Sequence, residues 1–249
     1  MTDTTMSVGT QPTNRSLQGA AGQRVWDLAL NLLSSVAPGR LLEAAGGGGQ
    51  LAAQLVERGY IVTGADIVDR WQFPEIPFVH ADLDQPLPFD EGVFDVAILV
   101  EAIGYLETPS HLLSEFHRII RPGGAIVITM PNVFSMQSRL RFFLNGTYRW
   151  FPHPIWQGEN KEDLADIYRD PFRVTTLTFL LERMGFSVDL IEFGGNRTHV
   201  MLLPVGWILQ GLVRLRNTFR AGKRKQTPTI VNSTAALLRT NVGILARKK

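Results

Sequence analysis

The sequence has no cysteine among its 249 residues. That excludes a disulfide scaffold, cysteine-ligated zinc and a thiol nucleophile. No apolar run reaches the ~18–20 residues that cross a bilayer as a helix. The opening segment, MTDTTMSVGTQPTNRS, has no apolar centre and does not read as a secretory signal. These absences point to a cytoplasmic globule, and a chain of this length buries roughly 70–75% of its unfolded surface without staples. Acid is missing from the end of the chain. All 23 Asp and Glu lie at or before Glu192, and the 57 residues that follow carry 11 Lys and Arg. A basic C-terminal region on an acidic body suits an anionic partner (a phospholipid surface, nucleic acid or the body itself) or is simply a solvated basic face.

What is present is organised as alternating strands and helices. Residues 1–15 have little to bury and are expected to be a disordered tail. Residues 16–249 read as one domain. Ser16–Val36 reads as a helix stopped by Pro38-Gly39. Short continuous apolar runs at Leu41–Ala45, Tyr60–Ala65, Pro77–His80, Phe94–Val100 and Ala125–Met130 suit parallel strands buried on both faces. Helical stretches at Gly49–Arg58 and Pro109–Ile120 intervene, so the pattern predicts an α/β, doubly wound parallel sheet. The segment between Asp66 and Pro77 is too short for a crossover helix and is expected to be irregular. Val133–Leu144 and Thr175–Met184 read as helices, with Gly185 stopping the second. Ser187–Phe193 and Asn241–Ala246 read as strands. Between them lies an insertion, 197–238. Its 200–225 stretch begins apolar and ends in Arg214, Arg216, Arg220, Lys223, Arg224 and Lys225, an amphipathic helical pattern in which Arg216 falls near the middle of the apolar face.

The sharpest motif is LLEAAGGGGQLA at 41–52. A strand ends in Glu43, four glycines follow, and a helix begins. Glycines permit a sharp turn and close approach of a ligand to the backbone, and a helix start offers free N–H groups. Asp66 ends the next strand, where a carboxylate can accept hydrogen bonds from ribose hydroxyls. A bare glycine-rich turn with a helix-capping acid accounts for the glycines alone, but not for the acids at both strand ends.

With these residues the sequence resembles the class I S-adenosylmethionine-dependent methyltransferases. The family pattern, an acid followed by x-Gly-x-Gly-x-Gly, reads here Glu43-Ala44-Ala45-Gly46-Gly47-Gly48-Gly49, with Ala45 in place of the first glycine. The resemblance continues through FVHADLDQPLPFDEGVFDVAILVEAIGYLETP and HRIIRPGGAIVITMPN. The stretches SRLRFFLNGTYRWF and LTFLLERMGF resemble bacterial methyltransferase 11/23-type groups. It covers about residues 20–195 and the final strand. It implies a Rossmann-like, seven-stranded, mostly parallel sheet with an antiparallel last strand, and S-adenosyl-L-methionine as cofactor. It also implies the cofactor-binding residues. Glu43 would lie near the methionine amino group, with Ala45, Gly47 and Gly49 in the turn. Asp66 would meet the ribose, followed by Ile67. Asp82 would face the adenine amino group with Leu83 beside the ring. Val100, with Glu101 after it, would end the fourth strand beneath the cofactor.

The resemblance leaves the acceptor chemistry open. Many relatives carry a histidine where this sequence has Tyr105, and a phenol that titrates near ~10 is a poor base at neutral pH. Tyr105 and His153, in the loop YRWFPHPIW, are the candidate catalytic residues, and Asn132 could line the acceptor pocket. His80, His111 and His117 read as structural, and no spacing suggests a metal site. The loops at 133–172 and 195–235 would choose the acceptor. The expected reaction is methyl transfer, at oxygen, to a small-molecule, lipid or glycan acceptor, with 200–225 either contacting an anionic membrane at its inner face or packing on the body as a lid or dimer contact. Three other readings compete. A dehydrogenase fits Gly47-x-Gly49-x-x-Ala52 and Asp66, but not the acid Glu43, and no tyrosine is followed by lysine four residues later. A non-catalytic methyltransferase-like binding module would account for Ala45 and Tyr105, but not for three retained carboxylates. A nucleic-acid methyltransferase suits the basic end, but no Asn/Asp-Pro-Pro-Tyr motif occurs.

Overall fold

The computed structural model describes residues 22–148, 171–197 and 233–249, together with positions 204, 208 and 211. The first 15 residues, His153 and most of the 197–238 insertion lie outside the described residues. Helix α1 (Gln23–Leu33) leads into β1 (Arg40–Ala44), α2 (Gln50–Glu57), β2 (Ile61–Asp66), β3 (Phe78–His80) and β4 (Phe94–Val100). After a 3₁₀ turn (Ile103–Tyr105) come α3 (Pro109–Ile119), β5 (Ile120–Pro131) and α4 (Met136–Asn145). Helix α5 (Val174–Arg183), β6 (Phe186–Arg197), α6 (Thr234–Leu238) and β7 (Arg239–Lys248) follow.

The seven strands form one sheet in the order β3-β2-β1-β4-β5-β7-β6. Strands β3, β2, β1, β4 and β5 run parallel, and β7 lies antiparallel between β5 and β6. The expected insertion of 241–246 beside the fifth strand is therefore present. The order reverses between β1 and β4, which opens a crevice at their carboxyl ends.

The continuous apolar runs have the expected cause, because alternate side chains feed two cores. Leu41, Val96, Ile98 and Val127 pack on one face with Leu32, Leu51 and Leu55 from α1 and α2. Leu42, Ala97, Leu99, Ile126 and Ile128 pack on the other with Leu112, Phe116, Leu177 and Leu181 from α3 and α5. Each buried Leu or Ile contributes roughly 1.5–3 kcal/mol relative to exposure. At the amino end, Asp95 accepts the Arg40 N–H at 2.7 Å and pairs with Arg121, which pins β1, β4 and β5 where β4 is bulged.

Strand and helix ends differ from the sequence reading where side chains redirect the backbone. Helix α4 starts at Met136 rather than Val133 because Asn132 and Ser135 organise the preceding turn. Asn132 Oδ1 accepts the Phe134 N–H, and Ser135 Oγ accepts the Ser138 N–H. No helix joins β2 to β3, as the length of that segment requires. Trp71 fills the space over β2 instead, stacked on Phe78 at 5.2 Å between ring centres. No described helix is long and apolar enough to cross a membrane.

Candidate active site

The glycine-rich turn joins β1 to α2 through three left-handed residues, Ala45 (φ 56°), Gly47 (φ 56°) and Gly49 (φ 83°). Ala45 sits in the first-glycine position and carries the penalty of an L-residue there, roughly 1–2 kcal/mol. Its N–H is anchored on the Ala65 carbonyl at 2.8 Å, which holds it in place. Asp66 closes the turn from β2. Its Oδ2 accepts the Gly47 N–H at 2.9 Å and its Oδ1 accepts the Val68 N–H at 3.0 Å. Each carboxylate oxygen retains a further lone pair for a hydroxyl donor.

The turn fits a ligand at one point in particular. A Cβ added at Gly47 would meet nothing within 4 Å, so its backbone borders open space. By contrast, a Cβ at Gly46 would meet Trp71 at 2.8 Å, and one at Gly49 would meet Phe73 at 3.0 Å. Of the four glycines, Gly47 alone borders open space.

Glu43 lies under the turn and is 4% exposed. Burial pushes its carboxyl up to about 8, against the lowering effect of the Ala52 N–H, with the Asp66 charge adding to the rise. Its Oε2 has no hydrogen-bond partner among the described residues. A buried acceptor of this kind suits a cationic amino group, whose charge would draw the proton off. Ile67 follows Asp66 and is half-buried, as is Val100 at the end of β4. Beyond β3, Asp82 Oδ1 accepts the Asp84 N–H at 2.9 Å, and Leu83 is buried in the α3-side core. The Asp84 carboxylate accepts the N–H groups of Glu107 and Thr108, which ties this loop to the start of α3.

The structure thus brings Glu43, the turn and Asp66 together directly, and sets Asp82, Leu83 and Val100 at or just past neighbouring strand ends. Tyr105 ends the 3₁₀ turn and is half-buried. Asn132 is committed elsewhere. Its Nδ2 donates to the Ala236 and Arg239 carbonyls at 2.6 and 2.8 Å, which fastens α6 and β7 onto the end of β5. His117 packs edge-on against Phe186 as a structural group, and burial lowers its pKa.

The sequence reading gave Glu101 a place but no chemical role. It follows β4 in a left-handed conformation (φ 57°) that a side chain of this size rarely adopts. Its N–H donates to the Thr129 carbonyl and hydroxyl, and its Oε2 accepts Asn241 Nδ2 at 2.9 Å. Burial raises its pKa to about 7, against the lowering effects of Asn241 and Thr129. An acid directly after an apolar strand was the available signal. Its value depends on Asn241, 140 positions away, which local reading does not pair with it.

A family profile described as a methyltransferase domain matches residues 42–128, the span from β1 through most of β5. The chain is a class I S-adenosylmethionine-dependent methyltransferase. The enzyme is 28% identical over 218 residues to the demethylmenaquinone methyltransferase of Thermus thermophilus, covering 75% of this chain and 93% of that one. It is 34% identical over 123 residues to the demethylmenaquinone methyltransferase of Clavibacter sepedonicus, covering 45% of this chain and half of that one. Its fold is that of a crystallised SAM-dependent methyltransferase from Archaeoglobus fulgidus, with a TM-score of 0.59 at 19% identity and coverage of 90% and 92%. The cofactor of the methyltransferase is S-adenosylmethionine, and the dehydrogenase reading falls away.

Proposed function

We propose that this methyltransferase methylates a hydroxyl oxygen of a small, quinone-class acceptor in its reduced, phenolic form, and that Glu101 takes the hydroxyl proton. The buried, backbone-strained carboxyl of Glu101 at the β4 carboxyl end carries this reading. Strain of this kind costs roughly 1–3 kcal/mol and persists where the surroundings hold it, characteristically at functional sites. A carboxyl raised to about 7 releases and regains a proton near neutrality. The names of the relatives support the acceptor class.

The cofactor-holding residues in this reading are Glu43 for the amino group, the open side of Gly47 for close backbone approach, Asp66 for the ribose, and Asp82 with Leu83 for the adenine. Ala45, Gly49, Ile67 and Val100 complete the wall. Bound S-adenosylmethionine supplies an electrophilic sulfonium methyl. Around it, the protein must orient the acceptor oxygen, which is worth up to ~7–11 kcal/mol, and exclude water. Tyr105, in the 3₁₀ turn that follows Glu101, shapes the acceptor side, and His153 is a second candidate there.

A lipid-soluble acceptor also suits contact between 200–225 and an anionic membrane surface. Exposed Phe143 (83%) and Leu144 (70%) on α4, and Ile208 (65%) in a helical conformation, supply apolar anchors. Basic residues contribute about 1 kcal/mol each near such a surface. Flotation on anionic vesicles that weakens with salt is the expected result, and failure to float at low salt rejects this contact.

Incubation with isotopically labelled S-adenosylmethionine and a panel of hydroquinones, followed by mass spectrometry, tests the reaction. An O-methyl product is expected. A product methylated only at carbon or nitrogen rejects the oxygen assignment.

A further inference from the structure

The geometry points to Trp71 as a positioning residue that sets cofactor affinity by holding the glycine-rich turn from the face opposite its ligand side. Residues 67–77 replace the crossover helix that would otherwise cover β2, and they lean on the turn at several points. The Trp71 ring lies where a Cβ on Gly46, Gly49 or Gly64 would have to be: 2.8 Å from the Gly46 position, 3.2 Å from Gly49, and closer still to Gly64. Three glycines therefore form a slot shaped for an indole. Phe73 seals the same edge, 3.0 Å from the Gly49 position.

The ring is fixed within its slot. Its Nε1 donates to the Phe73 and Ile76 carbonyls at 2.9 and 3.0 Å, and its face stacks on Phe78. The segment also bonds the turn directly, since the Gln72 N–H donates to the Gly48 carbonyl at 3.2 Å. On the other side, Asp66 holds Gly47. The turn is thus clamped between a carboxylate and an indole, and the left-handed conformations of Ala45, Gly47 and Gly49 are presented already formed. Pre-forming a binding loop improves affinity by removing its ordering cost from the binding step. Removing the indole leaves three adjacent glycines without a wall, and the turn must then be ordered by the ligand.

This inference rests on the cofactor assignment, and the test separates the two. The full chain and its variants are titrated calorimetrically with S-adenosylhomocysteine, with urea unfolding measured in parallel and KM and kcat taken wherever an acceptor is available. Trp71→Ala should weaken binding about tenfold or more and raise KM for S-adenosylmethionine, with kcat at saturation little changed. Trp71→Phe should restore most of the affinity. Gly64→Ala, which lies on β2 beneath the indole, should displace Trp71 and weaken binding on its own, yet add little in the Trp71→Ala background. Such non-additivity marks two residues acting through one another. If Trp71→Ala does not fold, Gly64→Ala carries the test, and its loss of affinity should shrink in the Trp71→Phe background, where the smaller ring leaves room for the added methyl. Wild-type affinity in folded Trp71→Ala or Gly64→Ala overturns the inference, as does strict additivity. Failure of the wild-type chain to bind S-adenosylhomocysteine would instead count against the cofactor assignment.

Discussion

Asp66 and Gly47 stand 19 positions apart and are joined by one hydrogen bond, Oδ2 to N–H at 2.9 Å. The carboxylate that is expected to meet the ribose is therefore also the group that shapes the turn. Asp66→Ala removes both its Gly47 and Val68 bonds, and bonds to a charged acceptor are worth ~1.5–3 kcal/mol when well shielded. Asp66 is only half-buried, so a stability loss of about 1–2 kcal/mol is expected, together with weaker S-adenosylhomocysteine binding. Urea unfolding and calorimetry on the same variant check both. Unchanged affinity would place the ribose elsewhere.

Glu43 predicts a pH dependence of stability. Its carboxyl is raised to about 8 in the fold from an ordinary 4.5. Between those values the folded chain keeps a proton that the unfolded chain has released. Stability from this group is complete below about 4.5 and declines as pH rises through about 8. Glu43→Gln removes the slope, so the variant should gain on the wild type from about pH 5 to about pH 8, by an amount on the order of a few kcal/mol at most. Urea midpoints at three pH values test this, and a gain at low pH instead would reverse the sign.

Glu101→Gln keeps the size of the side chain and can keep a bond to Asn241 after an amide flip. Loss of a general base lowers kcat typically ~100- to 10,000-fold, and binding of S-adenosylhomocysteine should stay within about threefold of wild type. The wild-type kcat should rise with pH through about 7, and that limb should vanish in the variant. A variant with wild-type kcat would remove Glu101 from proton transfer.

Asn132 should prove structural. Asn132→Ala leaves the buried Ala236 carbonyl and the half-buried Arg239 carbonyl without their donor, at about 1–3 kcal/mol for the buried group left unsatisfied and less for the other. The unfolding midpoint should fall, while KM for the acceptor in the folded fraction stays unchanged. A KM effect at constant stability would return Asn132 to the acceptor pocket.

The parallel strands were legible because most are short apolar runs that must be buried on both faces, whereas the antiparallel last strand was implied only by the family resemblance. The turn was legible as four glycines flanked by acids on two strands, but the separate reasons for those glycines were not: Gly47 borders open space, while Gly46 and Gly49 are crowded by Trp71 and Phe73. The sequence also showed that 67–77 could hold no helix, but not that Trp71 would take its place, because that depends on glycines from a strand and a separate turn. Asn132 illustrates the opposite failure. An amide just past a strand looks available, and only the fold shows the two carbonyls that occupy it. Glu101 was visible as an acid, but its environment is assembled from β5 and β7, beyond any local window.

The placement of β7 between β5 and β6 has a kinetic consequence. Ala125 pairs with Arg247 and Pro131 with Asn241, so one long side of β5 waits for residues more than a hundred positions further along. Pairings so distant in sequence form late, because loop closure must precede the contacts that reward it. Until then β5 presents Ile126, Val127 and Ile128 along an open edge, a surface that invites pairing between chains. Refolding from urea should therefore be slow, and its yield should fall as protein concentration rises, even though the finished sheet covers that edge completely.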